Sequence, residues 1–386
     1  MKKIMLFIIA ILLLPINIFA FDISSRYVYF YNIDREDVIY EFNANAEISI
    51  ASMTKIMTAI VAIENIDDLD EKVTLTSKDF KGLKEANAST AGFKKGEKVT
   101  YRDLLYGLML PSGADAALAL SNNIAGSEDL FVELMNEKAK ELQLENTHFA
   151  NTTGLDEEEH YSSAYDVFVI LNYALKNESF NEIFTTKKYT TSNKRLTFES
   201  TLYTSSKKYK LDTDYILGSK SGYTYDAGLC LASIAEFDGD LYLLVTAGAD
   251  YKSKKPYHIQ DSDKIYKHYF ENYSYQTVIN KGDEILTLTK ENGDEVKIYT
   301  DNNIELYLKN DSKITYDYNG KDTLTSGMKK GEYVGDYIVY ADGEIVHFER
   351  VYLPEDIHIY DEFSFIIGIA IGFILIKLLL KKKLKF

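Results

Sequence analysis

Ser52-Met53-Thr54-Lys55-Ile56-Met57-Thr58-Ala59-Ile60-Val61-Ala62-Ile63 is the stretch on which the reading of this chain turns. From Ile56 onward almost every side chain is apolar. A helix of about three turns that is apolar nearly all round belongs in the centre of a domain. At its head, Ser52 and Lys55 are spaced i, i+3 and therefore share one face. The start of a helix also favours negative charge developing near Ser52. A hydroxyl with an amine one turn away suits acyl transfer through a serine ester without a histidine. An ammonium cannot take a proton, so Lys55 has to be kept partly neutral by burial or by a nearby positive charge, for which Lys220 is the candidate. The same Ser-x-x-Lys spacing recurs at Ser205 and Ser326, but only Ser52 opens an apolar helix. The plain alternative is a capping serine and a solvated lysine.

Two further segments complete a set. Leu110-Pro111-Ser112-Gly113-Ala114-Asp115 reads as a break between two helical pieces, where a turn aims the Ser112 hydroxyl into a cleft. Ser112 would relay a proton to a leaving group, in contact with Lys55. Lys220-Ser221-Gly222 precedes a strand around Cys230. Gly222 would admit a substrate backbone, and Lys220 with Ser221 would hold a carboxylate by charge and hydrogen bond. Each segment alone is commonplace, as a cap after proline or a glycine turn. The ordered set decides the reading.

Outward from these segments, residues 24–45 read as a strand pair around the turn 32–36. Residues 102–124 read as the two broken helical pieces. Ser127 caps a helix that runs through Leu142, residues 146–162 form a loop, and 163–175 are helical again. Cys230–Ala235 and Leu241–Ala247 read as neighbouring strands. Helices between two β segments, the second antiparallel, predict an α+β domain with helices packed on one sheet. From about Tyr275 short alternating runs recur, punctuated by Asn292-Gly293, Asn319-Gly320 and Asp342-Gly343, which predicts a small all-β module.

The chain has 386 residues, 46% hydrophobic and 26% charged, as an ordinary globular protein does. A formal net charge of −16 argues against a nucleic-acid partner. One cysteine, Cys230, forbids an internal disulfide and reads as a small buried hydrophobe. Six scattered histidines without a His-Glu-x-x-His pairing speak against a zinc peptidase. Lys2 and Lys3, the apolar run Ile4–Leu14 and Ala20 have a secretory layout, although Ile18 stands where a small residue is usual. Phe363 to Leu380 is apolar except for Ser364 and Lys377, and as a helix it would span roughly 27 Å, enough to cross a bilayer. The lysines from 381 onward place the tail inside and the body outside. The expected organisation is a signal peptide at 1–20, a catalytic domain at 21–274, a β-rich domain at 275–360, a transmembrane helix at 363–380 and a basic cytoplasmic tail at 381–386.

The ordered motifs resemble those of the serine D-alanyl-D-alanine carboxypeptidases, the low-molecular-mass penicillin-binding proteins. The likeness extends to Ser89-Thr90-Ala91-Gly92, to 103–113, to Met135-Asn136-Glu137-Lys138-Ala139, to Thr147-His148-Phe149, to Thr153-Gly154-Leu155-Asp156, and to His160 with Ser162-Ser163-Ala164. It covers roughly residues 24–270. It implies a penicillin-binding/serine β-lactamase-like catalytic domain, with an antiparallel sheet and packed helices. The small all-β domain and the transmembrane helix follow that domain. It also implies Ser52 as the acylated nucleophile, Lys55 as its base and Ser112 in the proton relay. Lys220, Ser221 and Gly222 would form the third motif on an edge strand. The backbone N–H groups of Ser52 and Tyr223 would form an oxyanion hole. Substrates would be peptidoglycan D-Ala-D-Ala peptides and inhibitors β-lactams, at the cell membrane with the catalytic domain outside and with no metal or cofactor. Two positions depart from the family pattern. Ala114 stands where asparagine is usual, with Asp115 next to it as a partial substitute, and Ser221 stands where threonine is commoner. A serine β-lactamase shares the layout, with Glu157, Glu158 and Glu159 in a loop as its candidate carboxylates. A wall-peptide binder of weak activity is the third reading, prompted by Ala114.

Overall fold

The computed structural model describes residues 22–358. The expected signal peptide, the transmembrane helix and the basic tail lie outside the described residues. Among the described residues no helix is long and apolar enough to cross a membrane. The chain divides into two compact units between His268 and Tyr269.

The first unit is built on a five-stranded sheet. Its elements in chain order are β1 (Tyr27–Asn32), β2 (Asp37–Phe42), the short pairs β3 (Lys72–Thr74) with β4 (Lys98–Thr100) and β5 (Lys188–Thr190) with β6 (Thr197–Glu199), then β7 (Ile216–Thr224), β8 (Gly228–Phe237) and β9 (Asp240–Ala249). The large sheet has the order β2-β1-β9-β8-β7 and is antiparallel throughout. The chain's first strands thus join its last ones, and β7 is left on an edge. Both faces are covered, which explains why β9 reads as a continuous apolar run. Tyr29, Ala232, Leu243 and Val245 face the helical core. On the other face Phe30 meets the Tyr266 ring edge-on at 5.4 Å, and Thr246 lies 3.2 Å from Ser262, both partners on the helix Tyr257–Asn272.

The helix Lys55–Glu64 is buried from Lys55 to Ile63, as its all-round apolarity requires. Around it pack Tyr101–Met109, Ala114–Ile124, Glu128–Glu141 and Ala164–Ala174. Thr100 and Asp103 close a capping box on the first of these, and Ser127 and Ser163 cap the last two. The break at Pro111-Ser112-Gly113 stands as the sequence predicts. Three helices lie where the sequence gave no helical reading: Glu178–Thr185, Thr201–Tyr209 and Tyr257–Asn272. Their polar composition hides the apolar stripe; in the last, Ile259, Ile265, Tyr266 and Tyr269 are the buried apolar positions.

The second unit is a β domain by itself. Tyr273–Ile279 pairs with Ile304–Lys309; Glu284–Lys290 lies between Glu295–Tyr299 and Thr323–Leu324; Ile314–Gly320, Tyr333–Ala341 and Glu344–Tyr352 form a third sheet. Leu288, Val296, Leu324, Val339, Val351 and Ile357 make its core.

Candidate active site

Ser52 does not open the long helix itself. It lies in a 3-10 turn, Ala51–Thr54, that feeds into the helix at Lys55. Ala51 has φ +47°, a left-handed conformation that costs a side-chain-bearing residue on the order of 1–2 kcal/mol. The strain is held by packing on both sides of the turn. A Cβ on Gly154 would fall 2.0 Å from Ala51 O, and one on Gly222 would fall 3.0 Å from Ser52 N and 3.1 Å from Ile50 O. Gly222 is therefore needed for β7 to close on the serine turn. The sequence reading gave that freedom to a substrate backbone instead. Gly154, at φ +79°, does the same from the opposite loop.

Lys55 Nζ lies 3.0 Å from Ser52 Oγ and donates to the carbonyl of Thr153. The side chain is buried, and burial pulls its ammonium down to about 7 against the opposing pull of the Asp115 carboxylate. Lys220 is fully buried on β7, donating to Ser112 Oγ at 2.9 Å and to Ser221 O at 2.7 Å. Its pKa is pushed well down by burial and then by the charge of Lys55. Of the two causes the sequence offers for a weak Lys55 ammonium, burial is the main one. The expectations for Ser112 and Lys220 need correcting. The hydroxyl of Ser112 meets Lys220, not Lys55, so the two lysines each serve one serine. Lys220 is also too deeply buried to meet a carboxylate directly, whereas the half-buried Ser221 lies 2.8 Å from Thr201 Oγ1. Ser112, like Ala51, carries a left-handed φ, +63°.

Asp115 does not take the place of an amide at 114. Its carboxylate accepts N–H bonds from Ala91, Gly92 and Phe93 at 2.7, 3.0 and 3.1 Å and is buried. It braces the segment before β4. That segment in turn covers Ala114, whose N–H donates to Ser89 O at 2.8 Å and whose methyl packs with Leu83 and Leu118. An apolar residue at 114 is consistent with that covering.

The loop 146–162 carries contacts that the sequence did not announce. Asn151 Oδ1 accepts from Thr153 N and Gly154 N, which shapes the turn presenting the Thr153 carbonyl. His160 is buried, and its Nδ1 accepts from Ala150 N–H at 3.0 Å. The ring proton therefore sits on Nε2 and is donated to Thr54 Oγ1 at 2.8 Å. Burial, with His148 next, lowers the His160 pKa to about 4, so the ring is neutral. Thr58 Oγ1 adds a bond to Thr152 O at 2.8 Å. What grips Lys55 is a backbone carbonyl, and a carbonyl leaves no mark in sequence. Cys230 is buried, its thiol pushed up to about 12.

Ser52 and Lys55 open onto a cleft of about 700 Å³, whose walls include Asn87, Ser89, Asp156, Glu157, Tyr223 and Tyr225. Ser112 and Lys220 lie behind it, linked to the edge strand.

The chain is similar to known proteins over most of its length. The profile of the family described as D-alanyl-D-alanine carboxypeptidase matches residues 19–250, and that described as penicillin-binding protein 5, C-terminal domain, matches residues 273–358. The D-alanyl-D-alanine carboxypeptidase DacF of Bacillus subtilis is 29% identical over 337 residues, 84% of this chain and 83% of that protein. The carboxypeptidase DacD of Escherichia coli is 30% identical over 321 residues, 78% of this chain and 79% of that protein. The crystal structure of the Streptomyces K15 DD-transpeptidase superposes with a TM-score of 0.57 at 31% identity, covering 64% of this chain and 97% of its own. The carboxypeptidase DacD of Francisella tularensis, at 21% identity and a TM-score of 0.68 over 87% of this chain and 94% of its own, shares the fold. The chain belongs to the D-alanyl-D-alanine carboxypeptidase family, the low-molecular-mass penicillin-binding proteins, and is a hydrolase acting on D-Ala-D-Ala. Its fold is a penicillin-binding-protein-like catalytic domain with a separate all-β C-terminal domain.

Proposed function

We propose that the chain is a membrane-anchored serine carboxypeptidase that removes the terminal D-Ala of peptidoglycan stem peptides through an acyl ester on Ser52. The observation that carries this is the buried Lys55 amine 3.0 Å from Ser52 Oγ, where burial pulls its ammonium down to about 7. In its neutral form Lys55 takes the hydroxyl proton while Oγ attacks the carbonyl of the penultimate D-Ala. The N–H groups of Ser52 and Tyr223 stabilise the oxyanion. As the tetrahedral adduct collapses, the C–N bond breaks and D-Ala leaves, its amine taking a proton from Ser112; Lys220 replenishes Ser112 and is itself replenished by the proton that Lys55 took from Ser52, so that both amines return to their neutral forms. Ser221 holds the terminal carboxylate by hydrogen bond. Water then adds to the ester, the neutral Lys55 taking its proton and handing it to Ser52 Oγ as the ester C–O bond breaks, and the shortened peptide is released. β-Lactams would acylate the same serine. The apolar run 363–380 and the lysines after it support an anchor with the body outside the membrane, and residues 1–20 support export.

The test is release of D-alanine from a D-Ala-D-Ala peptide by wild type and by Ser52→Ala, with intact mass after exposure to a penicillin. Equal release by both proteins, or no adduct on folded wild type, would defeat the proposal. The acids Asp156 and Glu157 on the cleft wall keep a β-lactamase in play as the second reading. An adduct that turns over in under about a second would favour it over the slow ester of a peptidase.

A further inference from the structure

The wall of the cleft formed by Tyr223 and Tyr225 is also the wall of a second groove. This groove has a volume of about 630 Å³, close to that of the cleft itself. Three tyrosines meet on it. The rings of Tyr223 and Tyr225 lie 6.1 Å apart, and Tyr251 lies 5.3 Å from the first and 5.6 Å from the second. Tyr225 is 76% exposed and Tyr223 47%, an unusual outlay of aromatic surface for a soluble face. The same groove is lined by Lys208, Lys252, Lys254 and Lys255, with no Asp or Glu among its lining residues. None of these four lysines forms an ion pair among the described residues, although the chain as a whole carries a net charge of −16.

Those features define an occupant. Exposed aromatic faces stack on ring-shaped ligands that have apolar C–H faces. A cationic ligand, the other common guest of clustered aromatics, is excluded by four lysines. The guest is anionic and ring-bearing, and it continues from a chain end held in the catalytic cleft, because the two cavities share Tyr223 and Tyr225. We propose that this groove binds the sugar-bearing, carboxylate-carrying part of the wall polymer to which the D-Ala-D-Ala peptide is attached. Sugar rings lie against Tyr225 and Tyr251, and the lysines face the acidic groups. The proposal rests on the carboxypeptidase reading and adds a preference for glycan-linked over free peptide.

The experiment uses the full chain and two substrates with the same peptide, one free and one carried on an amino-sugar disaccharide. Release of D-alanine is measured for wild type, Tyr251→Ala, Tyr251→Phe and the double variant Lys208→Gln/Lys254→Gln. These positions lie outside the catalytic cleft. The expected result is a fall in kcat/KM of about tenfold on the glycan-linked substrate for Tyr251→Ala and for the double variant, the size of one lost stacking or charge contact. The free peptide should change less than about twofold and Tyr251→Phe should behave as wild type on both. The wild-type preference for the linked substrate should also shrink as salt is raised. Equal falls on both substrates would mean damage to the fold or a purely peptide subsite, and would overturn the assignment. No fall on either would do the same. Failure of wild type to release D-alanine from the free peptide would instead defeat the carboxypeptidase reading beneath it.

Discussion

The two units of this chain treat charge in opposite ways. The catalytic unit hides Lys55, Lys220, Asp103, Asp115, Asp166 and His160 from solvent. The β unit, among the described residues, buries only Thr300 besides apolar side chains, and its pairs Lys297–Glu284, Lys321–Glu332 and Lys329–Asp356 stand at the surface. The buried acids are structural braces. Asp103 accepts from Thr100 N, Tyr189 Oη and Ser192 N, and Asp166 from Asn146 N and Thr147 Oγ1, so each charge is matched by several donors. The two buried lysines have hydroxyls and carbonyls around them instead of a carboxylate in ion-pair range. Desolvation then favours the neutral amine, which is the form a base requires. A large core is what allows one unit to keep two amines unpaired, whereas surface pairs such as those of the β unit contribute little.

The sharpest way to break this contrast is at the reacting pair. Ser52→Ala should reduce D-alanine release by on the order of 10³-fold or more and abolish the penicillin adduct, with melting unchanged. Next comes pH. With Lys55 titrating near 7, the rate of penicillin acylation should rise about tenfold per unit below pH 7 and level off above it, because only the neutral amine takes the proton. The same lysine makes a stability prediction. It titrates near 7 in the folded chain and near 10.5 unfolded, so the unfolded chain binds more protons between those values. Its contribution to stability therefore rises with pH across that window, and Lys55→Met should remove that part of the slope in denaturation measured at a series of pH values.

Gly154→Ala tests the strained turn. The new methyl meets Ala51 O at a φ of +79°, so a loss on the order of 2–3 kcal/mol in urea denaturation, together with slower acylation, is expected. The smallest effect on catalysis should come from the other unit. Leu324→Ala should cost the β unit about 2–4 kcal/mol by calorimetry while release from a short soluble peptide stays within about twofold of wild type. A large loss of activity there would erase the division of labour drawn above.

Much of the fold was legible because its signals are local. The Lys55–Glu64 helix shows itself by apolarity, the helix after Ser127 by its cap, the break between two helical pieces by Pro111-Ser112-Gly113, the β8–β9 pair by its two apolar runs, and the β unit by its Asn-Gly and Asp-Gly turns. The helices Thr201–Tyr209 and Tyr257–Asn272 escaped because polar residues dominate them and only tertiary packing picks out their buried positions. In the site, Ser52, Lys55, Ser112 and the Lys220-Ser221-Gly222 strand could be picked out by type and spacing. The partners of those residues could not: Thr153 acts through a carbonyl, His160 through a loop closure, and Asp115 faces the segment 91–93 and not the cleft.

Sequence alone determined which atoms are available: one hydroxyl and one amine a turn apart at the head of a helix with nowhere to go but the interior, and a further hydroxyl and a further amine, Ser112 and Lys220, far from each other along the chain. Tertiary structure decided which hydroxyl each amine serves and how acidic each amine is. Those properties depend on distance and on exclusion of water, and both arise only when residues remote in the chain close around one another.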